Sequence, residues 1–89
     1  MKPRITINTA MEGEVEIWLN EAGRDLLVRK LQASDKTNDH FHISPPPGEV
    51  EVSMRAYRPT DTLLGWGKVL FRTDEWDRRC YPLVLEGAP

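Results

Sequence analysis

Hydrophobic and polar positions alternate one for one over several short stretches of this chain and fall into a helical stripe over only one long stretch. Ile5 and Ile7 alternate with Arg4, Thr6 and Asn8, the pattern of a half-buried first strand. Residues 8–13 supply turn formers. Val15, Ile17 and Leu19 then share one face of a second strand, with Glu14, Glu16 and Trp18 on the other. Strands this close in sequence are expected to pair as a hairpin.

Asn20 suits an N-cap, because its side-chain oxygen can accept from an orphan amide of the first helical turn. The following helix carries Ala22, Leu26, Leu27 and Leu31 in one stripe, acidic Glu21 and Asp25 early, and Arg29 and Lys30 late, as the helix dipole favours. The polar run 34–38 closes it. Asp39-His40-Phe41-His42-Ile43-Ser44 reads as a strand with Phe41 and Ile43 on one side and both histidines on the other, and is expected at the centre of the sheet. Pro45-Pro46-Pro47-Gly48 turns the chain away.

Residues 49–58 alternate again, with Val50, Val52, Met54 and Ala56 facing one way and Glu49, Glu51, Ser53, Arg55 and Tyr57 the other, predicting a long strand. A further strand is expected over 63–72, with Val69 and Phe71 inward, and Gly65 and Gly67 marking a bulge or close approach around Trp66. Thr73 can cap a short helical turn that Pro82 ends, Leu83, Val84 and Leu85 form an edge segment, and Gly87-Ala88-Pro89 forms a frayed end. The expected fold is α+β: one domain over residues 1–89, two layers, a largely antiparallel sheet of about five strands, one main helix on one face and a short C-terminal helical turn.

Composition agrees with a folded chain. Its 89 residues make one domain, and 39% hydrophobic with 29% charged content is that of an ordinary globular protein. Twelve basic against fourteen acidic side chains give a net charge of −2, the wrong sign for a phosphate backbone, so nucleic acid is not an expected partner. No apolar run is long enough for a signal sequence or a membrane span, so no membrane partner is expected and a cytoplasmic location is. The one cysteine, Cys80, has no internal disulfide partner and is expected to be a buried, inert thiol suited to a reducing compartment.

Candidate chemistry is sparse. His40 and His42 point the same way from their strand and could share a metal, with a third ligand from Glu14, Glu16 or Glu51 if their strands are neighbours. Two ligands alone are not a site, and the ordinary reading is a pair of surface histidines. Ser44 and Ser53 lack a nucleophile elbow, Glu12, Glu14 and Glu16 read as a solvated edge, and Gly65-Trp66-Gly67 matches no phosphate loop. The chain is therefore not expected to be an enzyme or to hold a cofactor.

A different grouping is more informative. The sheet face away from the helix gathers Glu14, Glu16, Trp18, His40, His42, Glu51, Ser53, Arg55, Tyr57 and Trp66, and tryptophan, tyrosine and arginine dominate binding energy at protein interfaces. The other arrangement open to the sequence has Trp76 and residues 83–85 folding over Trp18 and Trp66.

The helix with Gly23-x-x-Leu26-Leu27 and Leu31, followed after a polar loop by Asp39-His40-Phe41-His42-Ile43, resembles the Asp-His-hydrophobic-His-hydrophobic core of a small α+β family of bacterial polymorphic-toxin immunity proteins. The likeness covers about a quarter of the chain. Where the family has a tryptophan-glycine turn soon after the histidine strand, this chain has its proline turn, with Gly-Trp-Gly only later. The resemblance implies a non-catalytic cytoplasmic protein that binds and neutralises a cognate toxin. The expected contact residues are Trp18, His40, His42, Arg55, Tyr57, Glu14 and Glu16, the glutamates steering a basic partner. Two other readings stand beside it: a metal-dependent enzyme using His40 and His42, and a structural subunit that homodimerises through the same face or an edge strand.

Overall fold

The computed structural model describes residues 1–85, so the end at Gly87, Ala88 and Pro89 lies outside the described residues. The hairpin forms as the alternation predicts. β1 (Ile5–Thr9) and β2 (Val15–Leu19) pair antiparallel with Ile5 opposite Leu19, Ile7 opposite Ile17 and Thr9 opposite Val15. Ile5, Ile7, Val15, Ile17 and Leu19 thus share one face, and Thr6, Asn8, Glu16 and Trp18 the other.

Helix α1 (Glu21–Gln32) starts at Asn20, whose side chain caps it by accepting from Gly23 N at 2.7 Å. The same oxygen accepts from Arg4 N at 2.8 Å, and Asn20 Nδ2 donates to Lys2 O at 2.9 Å. One side chain therefore ends the hairpin, begins the helix and fastens the segment entering β1. Gly23 is buried against that segment, where a β-carbon would overlap the Arg4 carbonyl oxygen, so only glycine fits without displacing the strand.

β3 (His40–Ser44) is the middle strand of its sheet, but that sheet is not a single five-stranded one. The strands form two three-stranded sheets, ordered β2-β1-β5 and β4-β3-β6, where β4 is Val50–Glu51, β5 Thr62–Leu63 and β6 Gly67–Leu70. Only the β3–β4 pairing is parallel; the others are antiparallel. The strand expected over 49–58 is cut short because its backbone changes partners. Val52 N still donates to Ser44 O of β3 at 2.9 Å, and the next residue, Ser53, donates to Ile5 O of β1 at 2.7 Å. These few residues stitch one sheet to the other, and beyond them Met54 is exposed. The strand expected over 63–72 likewise divides between β5 and β6, with Trp66 in the break.

The core lies at the stitch. Ile5, Phe41, Val50 and Val52 are buried, and Ile7, Leu26, Leu27, Ile43 and Val69 pack against them, so α1 covers the face that carries Ile5 and Ile7. The layer does not extend over β2: Val15 and Ile17 are each 57% exposed and Leu19 41%, although they are on the predicted face. Phe71 is also exposed rather than inward.

Thr73 caps α2 (Asp74–Cys80) by accepting from Trp76 N at 3.1 Å. Leu83, Val84 and Leu85 make no edge strand: Pro82–Val84 is a 3₁₀ turn, and all three side chains are exposed. Cys80 is exposed too, a correction to the expected buried thiol, because α2 has no buried residue. No helix among the described residues is long and apolar enough to cross a membrane.

Candidate protein-binding surface

Hairpin register places Thr6 opposite Trp18 and Asn8 opposite Glu16 on the face of β1 and β2 turned away from Ile5. Asn8 is fully buried there and its amide serves both neighbours: Oδ1 accepts from Trp18 Nε1 at 2.8 Å, and Nδ2 donates to Glu16 Oε1 at 3.1 Å. The Trp18 indole is thereby anchored through its N–H to the neighbouring strand. Tyr57, arriving from the loop after the stitch, stacks on it with ring centroids 4.1 Å apart and 12° between planes. Such a pair adds about 0.5–1.5 kcal/mol beyond its buried area.

Arg58 completes the group. Its guanidinium lies 5.4 Å from the Trp18 ring centre, Nη2 bonds Glu16 Oε1, and Nε donates to both carboxylate oxygens of Asp61 at 3.0 and 3.1 Å. The Asp61 side chain is only 2% exposed while that of Arg58 is 45% exposed, so the arginine keeps an outward edge. Asp61 first, and then Glu16, raise the Arg58 pKa above its ordinary value. The result is a rigid aromatic–arginine platform whose charged members are already paired. Beside it Arg55 and Tyr57 line, with Arg4, Thr6, Ser53 and Ala56, a cleft of about 410 Å³.

The histidines belong to the other sheet. His40 pairs with Leu70 and His42 with Lys68 across β3 and β6, and the two imidazoles meet edge to face at 5.2 Å. Asp39 Oδ1 bonds His40 Nδ1 at 2.8 Å and its Oδ2 lies 3.3 Å from Arg72 Nη1; the His40 bond, then Arg72, lowers the Asp39 pKa. Glu49 is lowered chiefly by its 2.6 Å bond to Lys30 Nζ. Among the described residues no three His, Cys, Asp or Glu side chains converge as metal ligands. His42 instead lines an open cleft with Glu49, Lys68 and Trp66, the last 79% exposed.

The single recognition face expected from alternation is thus divided. Trp18, Glu16, Tyr57 and Arg55 come together on the first sheet, His40 and His42 stand on the second, and Glu14 is exposed next to the hairpin turn. Among the described residues the C-terminal segment covers neither Trp18 nor Trp66: Tyr57 stacks on Trp18, Trp66 is exposed, and Trp76 packs against Arg72 and Tyr81. Asn8, Arg58 and Asp61 were not anticipated. A register count across the hairpin would have placed Asn8 against Glu16, and the i,i+3 spacing of Arg58 and Asp61 about Pro59 is an ion-pair signal.

No family model, curated protein or solved structure matches the chain.

One flaw in the platform is informative. Thr6, opposite Trp18, is 1% exposed, and among the described residues nothing bonds its hydroxyl. A buried unpaired hydroxyl costs about 1–3 kcal/mol. Thr6→Val is therefore expected to raise stability by about 1 kcal/mol, read as a higher urea midpoint at unchanged slope. A lower midpoint would show that the hydroxyl is satisfied in solution.

Proposed function

We propose that the chain is a non-catalytic protein-binding domain, an immunity protein that neutralises a cognate toxin in the cytoplasm of the cell that makes it. The Trp18–Tyr57 stack bracketed by Arg58 carries this reading. Hot spots at protein interfaces are rigid aromatic and arginine anchors, and here their order is set before any partner arrives, so little side-chain entropy remains to be lost on binding. Catalysis needs the opposite arrangement, a titratable group left free near a reacting atom, whereas Glu16, Arg58 and Asp61 are each engaged. Exposed Glu12 and Glu14 at the neighbouring turn favour a basic partner surface. The single thiol, Cys80, is compatible with a reducing compartment.

The test is titration calorimetry against the product of any toxin-like gene found beside this one, together with survival of cells producing that product. The wild type is expected to bind and protect. Tyr57→Ala is expected to weaken binding by about 2 kcal/mol, roughly thirtyfold, with the fold intact by circular dichroism. Lys68→Ala, on the other sheet, is expected to bind as the wild type. A folded Tyr57→Ala protein that binds and protects unchanged would remove this face from the function.

A further inference from the structure

β2 is an edge strand in the order β2-β1-β5, and its outward backbone groups can be identified. Ile5 O accepts from Ser53 N and Ile7 O from Leu64 N, so these two residues of β1 point their carbonyls away from β2. Directly opposite residues of an antiparallel pair either both exchange bonds or both do not. Leu19 and Ile17, their partners, therefore turn their N–H and C=O groups to the open edge, as does Val15 by the same alternation. The Asn20 N to Arg4 O bond of 3.1 Å fixes the phase independently. Among the described residues, Val15, Ile17 and Leu19 thus present both unpartnered backbone groups and exposed apolar side chains, the combination that templates strand addition.

We propose that the chain forms a two-fold homodimer by antiparallel pairing of β2 with β2 of a second copy, centred on Ile17. The sequence Val15-Glu16-Ile17-Trp18-Leu19 is apolar at both ends and at its centre, so it is complementary to itself reversed. Centring on Ile17 lets all three outward-facing residues exchange bonds, Ile17 with its own copy and Val15 with Leu19 in each direction. It also sets Glu16 opposite Trp18 and Glu14 opposite Asn20 of the second copy. A centre at Glu16 loses one bonded pair and sets Glu16 against Glu16, a like-charge opposition. Charge and hydrogen bonding therefore choose the same register and make a second copy the occupant. The two Trp18–Tyr57–Arg58 platforms then lie on one side of a continuous sheet. The pairing rests on strand geometry and stands whether or not the platform binds a toxin.

The experiment is sedimentation velocity of the full chain from about 1 to 500 µM, with two exposed-site variants. The wild type is expected to reach the dimer across this range. Ile17→Lys and Ile17→Glu, each placing like charges opposite each other at the two-fold, are each expected to weaken self-association at least tenfold, and their equimolar mixture to recover a mixed dimer within a few-fold of the wild type. A wild type that stays monomeric throughout, variants that dimerise as the wild type does, or a mixture of folded variants that stays monomeric would each overturn the proposal. Should either variant fail to fold by circular dichroism, Val15→Lys mixed with Leu19→Glu takes its place, since Val15 faces Leu19 of the second copy in this register and in no other, with the same two outcomes.

Discussion

Phe41→Ala is expected to cost about 3–5 kcal/mol, read as a collapse of the urea midpoint. Phe41 is 4% exposed in the middle strand of its sheet, opposite Val69 on β6 and within the cluster of Ile5, Val50 and Val52. That cluster draws on both sheets, Ile5 from one and Val50 from the other, so the cavity the ring would leave lies where neither sheet can collapse into it independently. A chain of 89 residues has a total stability of roughly 4–13 kcal/mol, which makes this loss a large part of the whole. The neighbouring His42 is on the solvent face of the same strand, and His42→Ala is expected to change stability by less than about 1 kcal/mol. A Phe41→Ala protein as stable as the His42→Ala protein would mean that the core is elsewhere.

Asn20→Ala is expected to cost about 2–3 kcal/mol, more than an ordinary N-cap at about 1 kcal/mol. The difference comes from the two bonds that have nothing to do with the helix, from Arg4 N and to Lys2 O, each worth about 0.5–1.5 kcal/mol net and somewhat less where water competes. Asn20→Asp separates the parts. It keeps the acceptor for Gly23 N and Arg4 N and adds a negative charge at the positive end of α1, while giving up the bond to Lys2 O. Thermal melts should therefore show the aspartate variant recovering more than half of the alanine loss. Equal losses would assign the effect to Lys2 O alone.

Elements announced by local chemistry were legible in the chain. Asn20 and Thr73 cap the helices they were expected to cap, and the alternation of Ile5, Ile7, Val15, Ile17 and Leu19 sorted the hairpin faces correctly. Alternation reports which side a residue takes, however, and not what covers that side or which strand lies next to it. Hence the apolar face of β2 was assigned correctly yet is exposed, and one expected sheet is two. The run 49–58 kept its alternation past Ser53 although no strand pairing continued there, because pairing depends on Ser44 and Ile5, remote in sequence. Trp18, Tyr57, Glu16 and Arg55 were grouped from their residue types and alternation, and the fold brings them together on one sheet. The histidines fell to the other sheet for the same reason that the sheet divided.

The stitch at Val52 and Ser53 also orders events in time. Ile5, in the first strand, is sealed by Val50, Val52 and Phe41, so neither the hairpin with its helix nor the remaining chain carries a complete core. Closing so long a loop costs little stability, since loop entropy grows only logarithmically with length, but non-local contacts slow folding. A chain emerging from the ribosome therefore has no self-sufficient unit until Ser53 is out, and the exposed strands of the hairpin wait unsealed until then.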